Sequence, residues 1–215
     1  MKRRYDLVVF DWDGTLMDSE AKIVRCLSAA MRDAGVSDPG DEAVRDIIGL
    51  GMEEAAGRLV PGLGTQVRDK VIERFRQHYL HLDKTELAFF PGVEEGLNGL
   101  AQDGYLLAVA TGRPRRGLDR LMAEAGLEQL FVATRCADEA FSKPHPAMLE
   151  DILDETGVTT KQTLMVGDTV YDMQMARNAG VEALAVSYGV HDRARLLACG
   201  PVACLDSFDE VCRWL

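Results

Sequence analysis

Apolar residues fall along this chain in two rhythms. Short unbroken runs at 7–10, 105–110 and 163–166 are followed at once by polar residues and glycine. Runs of that length and greasiness predict strands buried on both faces of a parallel sheet. From residue 93 onward, segments with helical spacing alternate with these runs. Helices are predicted at 93–102, 114–125, 146–155 and 170–178, with further strands near 131, at 182–186 and near 202, and a last helix near 208. Strands alternating with helices imply right-handed crossovers and a sheet covered on both sides. Pro114 and Pro146 each stand at a predicted first helical position, which suits their fixed φ.

Between Leu16 and about Phe90 the alternation stops. Helical spacing runs through 19–34, with Ile23, Leu27, Ala30 and Met31 on one face. Two shorter helices, 41–48 and 52–60, are separated by Gly49-Leu50-Gly51, and a longer one at 67–82 carries the stripe Val71, Phe75, Tyr79 and Leu82. The expected fold class is therefore α/β: a Rossmann-like parallel-sheet core formed by 1–15 and 91–215, with an all-helical cap inserted at 16–90. Two hinge strands should join the cap so that it hangs over the carboxyl ends of the sheet.

The chemistry gathers at the ends of the apolar runs. Asp11 and Asp13 follow the first, two positions apart and so on the same side of the chain. At an effective dielectric near 20, two carboxylates about 4 Å apart repel by roughly 4 kcal/mol. A divalent cation is the natural agent to offset that. Thr111-Gly112 ends the second run, Lys143 lies in Ser142-Lys143-Pro144-His145-Pro146, and Gly167-Asp168-Thr169-Val170-Tyr171-Asp172 ends the third. Open parallel sheets bind ligands in the crevice beyond the carboxyl ends of their strands, so all four segments should meet there. Asp172 follows Asp168 by about one helical turn, letting both face one point. A site of oxygen ligands suits Mg²⁺. Arg113, Arg115 and Arg116 read as a solvated helix start, with Arg113 also within possible reach of substrate; His145 and His191 read as loop hydrogen-bonders, and Met173 and Met175 as core.

Composition narrows the classes. A chain of 215 residues holds one core domain and a modest insertion, and 47% hydrophobic with 27% charged residues is ordinary globular composition. The net charge of −11 argues against nucleic acid and anionic membrane as partners. It leaves room for a small phosphorylated metabolite, because a metal ion and a lysine can outweigh the global field locally. Five cysteines without metal-ligand spacing predict free thiols in a reducing compartment. The apolar run behind Met1-Lys2-Arg3-Arg4 is broken by Asp6 and stopped by Asp11, too short for a secretory segment, so a cytoplasmic protein is expected, as monomer or homodimer.

Taken in order, DWDGTL at Asp11, the strand-terminal Thr111, Lys143 in KPHP and GDTVYD from Gly167 to Asp172 resemble the haloacid dehalogenase superfamily of phosphotransferases over essentially the whole chain. The insertion places the resemblance in the helical-cap branch (subfamily IA), and Ile48-Gly49-Leu50-Gly51 is similar to the cap of its phosphoglycolate phosphatase-like subgroup. The resemblance implies that Asp11 is the nucleophile, forming an aspartyl-phosphate, and that Asp13 is the general acid and base. It implies Asp11, Asp168, Asp172 and the Asp13 backbone carbonyl as Mg²⁺ ligands. Thr111, Gly112 and Lys143 would hold the phosphoryl oxygens. Asp13 disfavours carbon–halogen cleavage, because the superfamily's dehalogenases lack that second acid. Two alternatives remain beside a phosphatase. A sugar-phosphate mutase of the β-phosphoglucomutase type would need a cap cation, and the loop Gly49-Leu50-Gly51-Met52-Glu53 has none, although Arg58 could reach round. A non-catalytic Mg²⁺-binding module is the other.

Overall fold

In the computed structural model, which describes residues 3–215, the first apolar run is strand β1 (Leu7–Phe10), with all four side chains buried. Met1 and Lys2, the head of the basic start, lie outside the described residues. A ribbon strand β2 (Met17–Asp18) follows, then α1 (Glu20–Ala34), α2 (Asp41–Asp46), α3 (Met52–Leu59) and α4 (Thr65–Gln77). Strand β3 (Ala88–Phe89) returns antiparallel to β2, pairing Met17 with Phe89. Thereafter come α5 (Val93–Gln102), β4 (Leu106–Ala110), α6 (Arg115–Ala125), β5 (Ala133–Arg135), α7 (Ala147–Thr156), β6 (Thr163–Gly167), α8 (Val170–Asn178), β7 (Glu182–Val186), α9 (Arg193–Ala198), β8 (Ala203–Leu205) and α10 (Phe208–Trp214). Six strands form one parallel sheet in the order β5-β4-β1-β6-β7-β8. The α/β class expected from the alternation is the one observed.

Alternate residues of β1 face opposite ways, as strand geometry requires. Val8 and Phe10 join one hydrophobic core with Leu97, Leu118 and Phe208, while Leu7 and Val9 join a second with Met148, Ile152 and Met175. The helices of 20–77 enclose a third apolar cluster, built on Leu27, Met31, Val44, Ile48 and Val71, to which Tyr171 of α8 contributes from the sheet side. No helix among the described residues is long and apolar enough to cross a membrane.

Several sequence expectations shift. The helix at 67–82 ends as α4, and a π-helical turn, His78–Leu82, takes over. That wider turn changes the phase of the stripe, so Tyr79 is buried and Leu82 is 60% exposed. Helix α2 stops at Asp46, leaving Ile47 and Ile48 to enter the loop before Gly49. Pro114 and Pro146 stand one residue ahead of α6 and α7, Pro114 with an extended ψ of 152°. The strand expected near 131 begins at Ala133. Helix α9 was not expected: it has six residues and buries only Leu196, too short for a period, and its start is set by Asp192, which accepts from Arg195 N at 3.0 Å.

Helix α5 provides a test of the packing. A Cβ added at Gly96 would lie 2.6 Å from Phe208 and 2.7 Å from Cys212, whereas one at Gly99 meets nothing within 4 Å. Helix propensity alone would stabilise either alanine by about 0.5–1 kcal/mol. Gly99→Ala should show that gain in urea unfolding, while Gly96→Ala should lose about 1–3 kcal/mol from overpacking against α10. Equal gains at both positions would contradict the described α5–α10 contact.

Candidate active site

Strand register lines up the reactive groups. Phe10 pairs with Val109 of β4 on one side and with Val166 of β6 on the other. Asp11, Thr111 and Asp168 therefore leave the three central strands at one edge, the carboxyl end, within a residue of the same level. Asp11 is fixed there by its own N–H, which donates to Val166 O at 2.9 Å.

Three carboxylates converge. Asp11, Asp168 and Asp172 are fully buried, and each offers an oxygen within 4.8 Å of the other two. Asp11 Oδ1 accepts from Trp12 N at 2.7 Å and faces Lys143 Nζ at 2.8 Å. Its Oδ2 is buried with no partner. Asp168 Oδ1 accepts from Thr15 Oγ1 at 2.8 Å, and its Oδ2 accepts from Val190 N at 2.8 Å. Asp172 takes Lys143 Nζ on Oδ1 at 2.7 Å, while its Oδ2 accepts from Thr169 N at 3.0 Å and Thr169 Oγ1 at 2.7 Å, closing a capping box on α8. Lys143, 1% exposed, is the single cation among them. Burial opposes its charge, yet Asp11 and Asp172 outweigh burial and hold it protonated above the ordinary lysine range.

That balance leaves a deficit of positive charge. Burial pushes the Asp11 carboxyl well above its ordinary value; Lys143 pulls it down, and Asp172 and Asp168 push it up again. Asp168 is raised from 3.8 to about 7, by burial first and by Asp172 second. Three buried carboxylates facing one ammonium group form an all-oxygen donor set short of positive charge, which fits a hard divalent ion. Asp11, Asp168 and Asp172 are the side chains that would hold it.

The Asp13 carboxylate lies apart from this group. Its Oδ1 accepts from Ser19 Oγ and from Arg113 Nη2. Arg113 corrects the reading of a solvated helix start. It is 8% exposed, precedes α6 by two residues, and gives Nη2 also to Tyr79 Oη at 2.7 Å. Arg115 does behave as a surface group, pairing with Glu139 at 2.7 Å. Thr15 Oγ1 reaches across to Asp168. Thr111 is buried and its Oγ1 accepts from Arg113 N at 3.2 Å. His145 and His191 are hydrogen-bonders, their Nδ1 atoms accepting from Ala147 N and Val170 N. Met173 and Met175 are buried.

Glycine is required at two places around the acids. Gly14 has φ +80°, and a Cβ there would run into the Asp168 carboxylate. At Gly112, a Cβ would come within 2.6 Å of Leu50 O and 2.8 Å of Gly49 O. The loop before α3 thus lies directly on the strand-end loop, and Gly51 N anchors it by donating to Ser142 Oγ at 2.8 Å. Ion pairing continues the contact: Arg195 of α9 meets Asp46 of α2 at 2.7 Å, and Tyr171 Oη donates to Asp46 O at 2.7 Å.

Sequence reasoning missed Ser19, Thr15 and Tyr79 as parts of this site and misplaced Arg113. One signal was available for Arg113: it sits two residues past strand-terminal Thr111, ahead of the helix, on a loop that must border the crevice.

The family model described as haloacid dehalogenase-like hydrolase matches residues 8–186. A protein of Dickeya dadantii (strain 3937) named probable phosphatase IndB is 36% identical over 212 residues, covering 95% of this chain and 91% of that protein. A phosphoglycolate phosphatase of Aliivibrio fischeri (strain ATCC 700601 / ES114) is 34% identical over 192 residues, covering 85% of this chain and 84% of its own. Among solved structures, one described as a predicted phosphoglycolate phosphatase from Haemophilus somnus 129PT superposes with a TM-score of 0.88 at 25% identity, covering 100% of this chain and 99% of that one.

The raised acids set a pH dependence. Folded Asp168 keeps its proton up to about pH 7, whereas the unfolded chain sheds it near 3.8. Without a cation, stability from this group is complete below the unfolded value and is lost as pH rises through the folded one. A bound cation displaces that proton and removes the loss. Added Mg²⁺ should therefore raise the Tm of the chelator-treated protein, and by more at pH 7.5 than at pH 5. A gain that is flat or shrinks with rising pH, read by calorimetry, would contradict the three-acid site.

Proposed function

The chain belongs to the haloacid dehalogenase-like hydrolase family, and from that premise we propose that it is a Mg²⁺-dependent phosphatase acting on a small phosphomonoester through Asp11. One observation carries the reading: a buried carboxylate at a strand end, with Oδ1 pinned by Trp12 N and Lys143 and Oδ2 without a partner. An oxygen so held is aimed and desolvated, which is what an in-line nucleophile toward phosphorus requires. The phosphatases and phosphoglycolate phosphatases among the relatives support the reaction class and make phosphoglycolate the first substrate to try.

In this reading Asp11 attacks phosphorus, forming a new P–O bond as the bond to the alcohol breaks. The departing oxygen leaves with the electron pair and takes a proton from Asp13, whose carboxyl stands two residues on, just ahead of the Gly14 turn. A water molecule, deprotonated by Asp13, then attacks the aspartyl-phosphate and returns Asp11. Lys143 favours the ionised form of Asp11 against burial and faces the phosphoryl oxygens, with Thr111 and Gly112 N–H on their other side. Asp11, Asp168 and Asp172 with the Asp13 backbone carbonyl would hold Mg²⁺, which when bound supplies the positive charge that lets a phosphate dianion approach these acids. Thr15 and Val190 N hold Asp168 in place for that task.

Residues 16–90 act as the cap in this proposal, and residues 1–15 with 91–215 as the core. The loop Gly49-Leu50-Gly51 against Gly112 excludes water from the aspartyl-phosphate. A mutase reading is less well supported: Arg58, the cap cation it would use for a second phosphate, is committed to Glu54 at 3.0 Å and to Tyr171 Oη at 3.2 Å. A non-catalytic module leaves the placing of Asp13 unexplained.

Asp11→Asn should lower phosphate release by about 10³-fold or more while leaving the unfolding transition in place, and chelation of the wild type should have a comparable effect that added Mg²⁺ reverses. A screen of small phosphomonoesters ranked by kcat/KM provides the assay. Turnover by Asp11→Asn near the wild-type rate would remove Asp11 as nucleophile.

A further inference from the structure

Resting on the reading of Asp11, Asp168 and Asp172 as a Mg²⁺ site, we infer that Tyr188 is a positioning residue for that site. Tyr188 fixes Thr15, and through Thr15 it aims the Asp168 carboxylate. Asp168 Oδ1 accepts from Thr15 Oγ1 at 2.8 Å. Threonine is branched at Cβ and stiff at χ1, so the place of its main chain decides where the hydroxyl points. Thr15 is fully buried, and among the described residues no main-chain N–H reaches its carbonyl. Tyr188 Oη donates to that carbonyl at 2.8 Å. A buried carbonyl left without a donor is costly, which holds the tyrosine hydroxyl on it.

The tyrosine ring is held in its turn. It lies edge-on to Phe90, with centroids 4.8 Å apart at an interplanar angle of 60°. Phe90 directly follows β3, and its N–H donates to Leu16 O at 3.0 Å. Tyr188 therefore touches both crossings between the sheet and the helical segment, ahead of β2 at Thr15 and after β3 at Phe90. Its neighbours in the loop after β7 converge on the same acid. A Cβ at Gly189 would run into Gly14 O and the Asp168 carboxylate. Val190 N donates to Asp168 Oδ2 at 2.8 Å, and His191 N donates to Asp168 O at 3.3 Å. The stretch 188–191 thus grips Asp168 directly, and Tyr188 is the member that also holds the turn carrying Thr15. Partners that orient a ligating carboxylate typically control about 10–100-fold of the metal's affinity.

The test measures Mg²⁺ affinity by titration calorimetry on chelator-stripped protein at pH 7.5, with no substrate present. Thr15→Val should weaken binding roughly 10- to 100-fold, and Thr15→Ser, which keeps the hydroxyl, should stay near wild type. Tyr188→Phe should weaken it roughly 3- to 10-fold, the contribution of one neutral hydrogen bond. Because Tyr188 acts through Thr15, the double variant should bind no more weakly than Thr15→Val alone. Should Thr15→Val not unfold cooperatively, Thr15→Ala takes its place in the cycle. An unchanged affinity in Tyr188→Phe, whatever its melting temperature, would make the tyrosine structural only and overturn the inference. Losses that add in the double variant would mean that Tyr188 acts by another route, and would overturn it too. Either result leaves the phosphatase reading standing. A wild type that binds no Mg²⁺ would overturn that reading first, and this inference with it.

Discussion

Everything at the carboxyl edge of this sheet depends on one ammonium group. Lys143 Nζ lies 2.8 Å from Asp11 and 2.7 Å from Asp172, all three fully desolvated. Such a cluster is a poor way to gain stability. Withdrawing ions from water costs several kcal/mol each, and a well-packed apolar replacement is often as stable or more so. Removing one partner alone is far worse, because it strands the others. Nor does the lysine balance its surroundings: three buried acids face a single cation. The fold tolerates the excess because the register of β1 and β6 brings Asp11 and Asp168 to one edge, which the hydrophobic faces of β1 secure at Leu7, Val8, Val9 and Phe10. Helix α8 carries Asp172, and the loop ahead of α7 carries Lys143. Packing enforces what electrostatics resists, as is usual where strain serves a site.

The same economy of space governs the contact with the helical segment. Gly112 has no side chain where Leu50 and Gly49 carbonyls approach, and Gly14 has none where Asp168 lies. Each glycine lets backbone or carboxylate come closer than any Cβ would permit. Around them, Arg195–Asp46 and Tyr171–Asp46 tie α9 and α8 to α2, and Arg113–Tyr79 ties the loop after β4 to the π-helical turn. Buried Tyr171 adjoins Asp172 in sequence and packs in the cluster of Leu27, Met31 and Ile48. A shift of the helical segment would thus be felt one residue from a candidate metal ligand.

Much of this was legible in the amino-acid order, for a physical reason. Buried parallel strands are short, continuous and bounded by sharp polarity changes, so β1, β4, β6 and β7 announce themselves, and acids follow β1 and β6 directly. The parts that escaped depend on tertiary partners. Thr15 looks like a turn residue until β6 brings Asp168 beside it. Ser19 looks like the start of a helix until the Gly14 turn folds Asp13 back onto it. Tyr79 belongs to an apolar stripe by spacing, and only the π-helical turn redirects it. Arg113 stands beside two further arginines, and arginine runs are normally solvated; nothing local distinguishes the one that a buried acid captures. Helix α9 lacked the length to show a period.

The four acids of the two motifs are not one cluster, and the division explains how they coexist. Strand parity would put Asp11 and Asp13 side by side, but β1 ends at Phe10, so the alternation does not carry through to Asp13. Asp11 joins Asp168 and Asp172 around Lys143, and Asp13 goes to Arg113 and Ser19. Each group thus has its own cation, and neither cation neutralises both. A metal ion at the three-acid group would restore charge where a phosphoryl group must arrive, while Arg113 keeps its one acidic partner and spare donors. A protein with net charge −11 repels anions at long range. Affinity for one must therefore come from such short-range, desolvated positive groups, whose field is strongest where water is excluded.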